Sequence, residues 1–431
     1  MTIDHAADVR TVAGPSSKSA ARRQRLLDLD IGQRRDALNA HLRQRLRIWL
    51  LADDATLDAF DPRRLLDPLG KDWAFLAHML QQDFGLRLYP NELHEMDSIE
   101  ALASYLSAEL VASVPAPSAP TAPAVSTEGA WVWEAPGALP VDRVTGTAFV
   151  LSTPRSGSTL LRVMLEGHSN LFAPPELWLL PFATLRDRQQ QLRATGYEYL
   201  GLGLQQAVGA LWEIDETAAA ATVQAWVEDG RTVADTLRQL VARADRRWLI
   251  DKTPGYSSRI EWLQQAERVC DDARYVFLVR HPFPVIESFV RMRFHRMIGS
   301  SLGVRSDDPF LLAALVWERW NRNVVSFFER IPADRRLQVR YEDLVSEPAD
   351  TMRAVAEFLG VPFESSMTSP YATNRMTFKG TKHLITTGDP NFARRDRLDP
   401  RLSSWDHIHL PEHIRRVVRD LAAQFGYQVP S

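Results

Sequence analysis

The chain has 431 residues, enough for two or three domains and a sizeable core. Its 51 Lys and Arg against 54 Asp and Glu leave a formal charge of -3, which excludes a protein built mainly to hold nucleic acid, so any anion binding must be local. One cysteine, Cys270, excludes an internal disulfide framework and a thiolate zinc site, and no apolar run approaches the ~20 residues that span a bilayer or makes a secretory signal; a cytoplasmic protein is expected, without membrane or nucleic-acid partners.

Residues 1–25 read as a charge-rich, disordered tail. Residues 26–110 read as helices: Leu42, Leu46, Trp49 and Leu50 fall at helical spacing, as do Leu76, Met79 and Leu80. Asp97 can cap a last helix with Glu100 three residues on, and Ile99, Leu102, Ala103 and Leu106 form its inner stripe. Over residues 65–106 this module resembles an acyl carrier protein domain, through Leu69-Gly70-Lys71-Asp72, Phe84-Gly85-Leu86-Arg87-Leu88 and Ser98-Ile99-Glu100-Ala101-Leu102. Carrier domains bear the phosphopantetheine serine directly after that Asp, where this chain has Trp73, which has no hydroxyl. The resemblance therefore implies a degenerate carrier module, used for docking a biosynthetic partner protein or for self-association. Residues 111–140 form a linker, rich in Pro and Ala over 114–123, which adopts extended, semi-rigid backbone.

Residues 141–431 then open on Ala148-Phe149-Val150-Leu151, a buried strand, followed by Pro154-Arg155-Ser156-Gly157-Ser158-Thr159 and a helical pattern at Leu160, Leu161, Met164 and Leu165. Strand, small-residue loop and helix aim free backbone N–H groups at an anion, and Arg155, Ser158 and Thr159 add a cation and two hydroxyls. With one glycine and no lysine, the loop departs from that of the nucleotide triphosphatases. Pro174-Pro175-Glu176-Leu177 leads into a mostly helical insertion, residues 177–247, carrying Trp178, Trp212 and Trp226 and suited to a pocket wall or lid. Trp248-Leu249-Ile250-Asp251-Lys252-Thr253-Pro254 reads as a strand entering a polar turn. Arg274-Tyr275-Val276-Phe277-Leu278-Val279 is a further strand, ending in Arg280-His281-Pro282, and the helix after it carries Ser288 where it can share an oxyanion with Arg280. Helices over 310–328 and 411–425 read as structural.

These stretches resemble the sulfotransferases that use 3′-phosphoadenosine 5′-phosphosulfate (PAPS), over about two thirds of the chain and most in the manner of those encoded with bacterial polyketide assembly lines. Leu337-Gln338-Val339-Arg340-Tyr341-Glu342-Asp343-Leu344 and Lys379-Gly380 also resemble segments of that family. The resemblance implies an α/β fold, a P-loop-like parallel sheet flanked by helices, preceded here by the small all-α bundle. It implies that Arg155, Ser156, Gly157, Ser158 and Thr159 hold the 5′-phosphosulfate, and that Arg280, Ser288, Lys379 and Gly380 hold the 3′-phosphate of PAPS and of its product PAP. Lys252 would neutralise charge on the bridging oxygen, with no metal required.

For the base, many cytosolic members use a histidine two residues after the lysine, where this chain has Pro254. The protein-tyrosine sulfotransferases use a glutamate after the first helix, which makes Glu176 the candidate, with His168 and His383 as fallbacks. Polyketide-pathway relatives commonly have a histidine after Glu-Leu, where this chain has Trp178, so a carrier-bound acyl hydroxyl and a free natural-product hydroxyl both remain as acceptors. The expected reaction is sulfuryl transfer to a hydroxyl. Alternatives are a kinase, disfavoured by the missing loop lysine, and a non-catalytic docking component of a polyketide or fatty-acid-type complex with relic nucleotide binding.

Overall fold

The computed structural model describes residues 17–50, 98–112, 143–292 apart from 196 and 246–247, 308–372 and 403–430, with a few positions between these stretches. Leu69 to Trp73, Leu76, Met79, Asp97, the linker over 114–123, Lys379, Gly380 and His383 lie outside the described residues. The chain divides into two compact units, Met1–Thr121 and Ala122–Ser431.

In the first unit, α1 (Ser17–Leu27), α2 (Ile31–Leu50) and α3 (Ile99–Ala112) share one apolar core. Leu38, Leu42 and Leu46 stack at four-residue spacing on α2 and meet Ile99, Leu102, Ala103, Leu106 and Leu110 of α3. The tail expected over residues 1–25 is corrected by α1, which begins at Ser17. Leu26 is buried in this core, and Arg34 Nε and Nη2 donate to the Leu26 and Leu29 carbonyls, each at 2.8 Å, satisfying acceptors at the end of α1. At the start of α3, Ser98 Oγ accepts the Ala101 N–H at 3.2 Å and provides a cap.

The second unit is built on a five-stranded parallel sheet: β1 (Thr147–Ser152), β2 (Leu171–Phe172), β3 (Trp248–Asp251), β4 (Arg274–Val279) and β5 (Arg336–Arg340), in the order β2-β3-β1-β4-β5. β1 is buried along its whole length, as expected of a central parallel strand covered on both faces. On one face Val150, Ile250, Val276 and Leu278 pack against Leu161, Val163 and Met164 of α4 (Ser158–Leu165). On the other, Phe149, Tyr275 and Phe277 meet Trp317, Phe327 and Phe328 of the helix Pro309–Phe328 and Phe425 beyond the helix Glu412–Gln424. The insertion folds into the helices Leu185–Ala194, Leu202–Trp212, Glu216–Glu228 and Val233–Arg243, with Thr184, Asp215 and Thr232 capping the first, third and fourth. Trp178 and Trp226 are buried in its core.

Candidate active site

Strand register brings the two anion-binding stretches together. In the pairing of β1 with β4, Ser152 lies opposite Leu278, so the chain leaves both strands at one edge, with Thr153 to Gly157 beside Arg280 and His281. β1 is flanked by β3 on one side and β4 on the other, which makes this edge the crevice where open parallel sheets hold ligands. Arg280 Nη1 donates to the Arg155 carbonyl at 3.1 Å, and Arg155 Nε donates to Ser288 Oγ at 3.0 Å. Ser288 sits on the helix Pro282–Arg291, whose start is capped by His281 Nδ1 accepting the Phe283 N–H at 3.2 Å.

The turn itself is tightly specified. Arg155 has φ 68° and Gly157 has φ 93°, both in the left-handed region. A Cβ on Gly157 would lie 2.4 Å from Tyr341 Cδ2, so both the conformation and the space demand glycine. Tyr341 follows β5, whose Arg340 pairs with Val279, and its ring lies 4.1 Å beneath the Arg280 guanidinium. Thr153 Oγ1 and Ser156 Oγ share a hydrogen bond of 2.7 Å inside the turn. α4 begins at Ser158, directing its first N–H groups and the positive end of its dipole to the same mouth.

Lys252 lies on the other side of β1. Phe149 pairs with Asp251, so Lys252 is the first residue beyond β3. Its side chain is 1% exposed, and Nζ donates to Glu176 Oε1 at 2.7 Å. Burial pushes the Lys252 ammonium below the usual lysine range, and the Glu176 carboxylate opposes that shift. Trp178 Nε1 donates to Glu176 Oε2 at 3.1 Å. A Cβ on Gly203 would lie 2.0 Å from the Glu176 carbonyl oxygen, so the helix Leu202–Trp212 backs directly onto this segment.

Among the expected site residues, the structure gathers Arg155 through Thr159 with Arg280 and Ser288, and it pairs Glu176 with Lys252. Lys379, Gly380 and His383 lie outside the described residues. His168 is structural: its fully buried ring contacts the Pro362 carbonyl through Nε2 at 2.6 Å and accepts the Asn170 N–H through Nδ1 at 2.9 Å. Several contributors escaped the sequence. Buried Arg162, on α4, donates to the Ala173 carbonyl at 2.8 Å, and burial pushes its guanidinium down to about 10. Arg188, Asp251 and Tyr256 brace the segment after Glu176 from within the core. Asp251 and Tyr256 stand beside Lys252 in the sequence, a signal of a polar strand end, but nothing in their spacing ties them to residues 177–179. Among the described residues no group of three or more His, Cys, Asp and Glu is arranged to hold a metal ion, and no helix is long and apolar enough to cross a membrane.

Comparison with known proteins gives the family and the fold. The sulfotransferase domain of the Synechococcus PCC 7002 olefin synthase is 41% identical and superposes with a TM-score of 0.60, over 68% of this chain and 98% of that domain. The sulfotransferase domain from the curacin biosynthetic pathway is 38% identical with a TM-score of 0.62, over 67% of this chain and 100% of that domain. The nodulation protein NoeE of Sinorhizobium fredii is 25% identical over 300 residues, and the chain spans 65% of that relative's length. Residues 148–365, from β1 to beyond the helix Pro348–Leu359, match the model of the sulfotransferase family. The chain belongs to the sulfotransferase family, and its α/β unit has that family's fold.

Proposed function

We propose that this transferase moves the sulfuryl group of PAPS to a hydroxyl of a natural-product or acyl substrate, releasing PAP. The observation that carries this is the junction of Arg155, Arg280 and Ser288 across 3.0 and 3.1 Å contacts. It supports one anion-rich nucleotide held between the loops after β1 and β4. Sulfuryl transfer, like phosphoryl transfer, passes through a loose in-line transition state, so positioning and electrostatic stabilisation supply most of the catalysis.

In this reading Arg155 and the Ser156 to Thr159 backbone and hydroxyls bind the moving group, through charge-assisted hydrogen bonds of about 1.5–3 kcal/mol each. Arg280 and Ser288 bind the ribose 3′-phosphate, with Lys379 and Gly380 closing on it. Glu176 takes the acceptor's hydroxyl proton as that oxygen bonds sulfur. The bond from sulfur to the bridging oxygen breaks, and Lys252 compensates the charge left there. Lys252 suits this role because its ammonium is buried beside Glu176, in surroundings where a charge interaction is stronger than in water.

The domains from the olefin synthase and the curacin pathway make a polyketide-type setting the best choice of acceptor. The N-terminal unit then serves as a docking or self-association module. Mixing the protein with PAPS and hydroxylated candidates, both free and carrier-bound, tests the proposal by mass spectrometry. A sulfate adduct formed together with stoichiometric PAP is expected. PAPS consumption that depends on a phosphate acceptor or on magnesium would overturn it.

A further inference from the structure

Both carboxylate oxygens of Glu176 are engaged, Oε1 by Lys252 Nζ at 2.7 Å and Oε2 by the Trp178 indole N–H at 3.1 Å. Trp178 lies two residues from Glu176 and reaches back to it with its own backbone at φ 51°, in the left-handed region that bulky residues rarely adopt. The surroundings hold that conformation. Arg188 Nε donates to the Trp178 carbonyl at 2.9 Å, and its Nη2 donates to the Leu177 carbonyl at 2.8 Å. From the opposite side the Tyr256 hydroxyl accepts the Leu179 N–H at 2.8 Å and donates to Asp251 Oδ2 at 2.9 Å. Buried side chains thus satisfy the backbone polar groups around the turn, as a buried segment requires. Gly255 leaves room for the indole, since a Cβ there would lie 2.0 Å from Trp178 Cη2.

We infer that Trp178 is a positioning residue that fixes the Glu176 carboxylate through its indole N–H and leaves Oε1 as the atom that receives the acceptor's proton. An indole N–H donates and cannot accept, so Oε2 stays committed to Trp178. Oε1 becomes available when Lys252 turns to the charge developing on the leaving oxygen. The inference rests on the assignment of Glu176 as the base, and its test separates the two.

Trp178→Phe deletes the donor together with one ring of the buried indole, so its effect is read against the same change made in Glu176→Ala, where a packing loss would persist and a lost hydrogen bond would not. It is expected to lower kcat by about ten- to a hundredfold, the factor a hydrogen bond to a charged group carries. PAP affinity is expected to stay at the wild-type value, while the melting temperature falls by several degrees for the cavity left in the core. In a proton–nitrogen NMR spectrum, the indole resonance that disappears in Trp178→Phe is expected to move in Glu176→Ala, and adding Trp178→Phe to Glu176→Ala is expected to cost no further turnover. Wild-type kcat in Trp178→Phe, or an indole resonance indifferent to Glu176→Ala, would overturn the inference. Full turnover by Glu176→Ala with a shifted indole resonance would uphold the Trp178 contact while removing the base assignment.

Discussion

The two halves of the site are built by different means. On the β4 side, Arg155, Arg280 and Ser288 converge because parallel strands β1 and β4 end together, so short-range patterns at each strand end suffice. On the β3 side, Glu176 reaches Lys252 across 76 positions of sequence, and its aim depends on Trp178, Arg188, Tyr256 and Asp251. The proposed nucleotide side is made of a turn and strand ends. The proposed acceptor side lies at the start of an insertion, and its polar groups are braced from the core.

The sharpest way to break this contrast is Glu176→Ala. If the β3 side carries the proton transfer, kcat falls by about 10²–10⁴, the usual range for a general base, while calorimetric PAP affinity is unchanged. Loss of both together would mean that the halves are not separable. Gly157→Ala probes the other half. A methyl at 2.4 Å from Tyr341, on a residue with φ 93°, is expected to destabilise the fold by about 1–3 kcal/mol in thermal unfolding and to weaken PAP binding about tenfold.

A smaller effect comes from the brace itself. Burial pushes the Asp251 carboxyl up to about 6 from 3.8, so the folded chain holds that proton where the unfolded chain has released it. The stability this adds is full below pH 3.8 and is lost as pH rises through about 6. The gap in unfolding free energy between wild type and Asp251→Asn should therefore shift against wild type by about 3 kcal/mol from acid to neutral pH. A gap independent of pH would show that Asp251 is solvated. The smallest expected effect is none. Incubation with coenzyme A and a phosphopantetheinyl transferase should leave the mass unchanged, because Trp73 stands where carrier domains have their serine. An added arm would contradict the degenerate-carrier assignment.

The same contrast decides what the sequence could disclose. The strand at Phe149, the glycine turn, the Arg280-to-Ser288 spacing and the helix over 310–328 are local patterns, which read as strands, an anion-binding turn and a helix, while the α/β sheet comes from the resemblance they carry. β2 has two residues, too short for any alternation to register. α1 hides in a polar stretch, because its anchoring depends on Leu26 and on Arg34 across a turn. Trp178 reads only as one tryptophan of the insertion, because the role proposed for it lies in a φ value and in an indole packed against Gly255, with Arg188 on its carbonyl. Glu176 and Lys252 could be chosen by resemblance. Their 2.7 Å pairing is a tertiary fact.

The loops after β1 and β4 are proposed to grip opposite ends of one nucleotide. Calorimetric titration of wild type and Arg280→Ala with PAP and with adenosine 5′-phosphosulfate tests this proposal most directly. Arg280→Ala is expected to weaken PAP binding by more than about tenfold, the effect of one charge-assisted contact, and to leave adenosine 5′-phosphosulfate binding unchanged. Equal weakening of both ligands would contradict it.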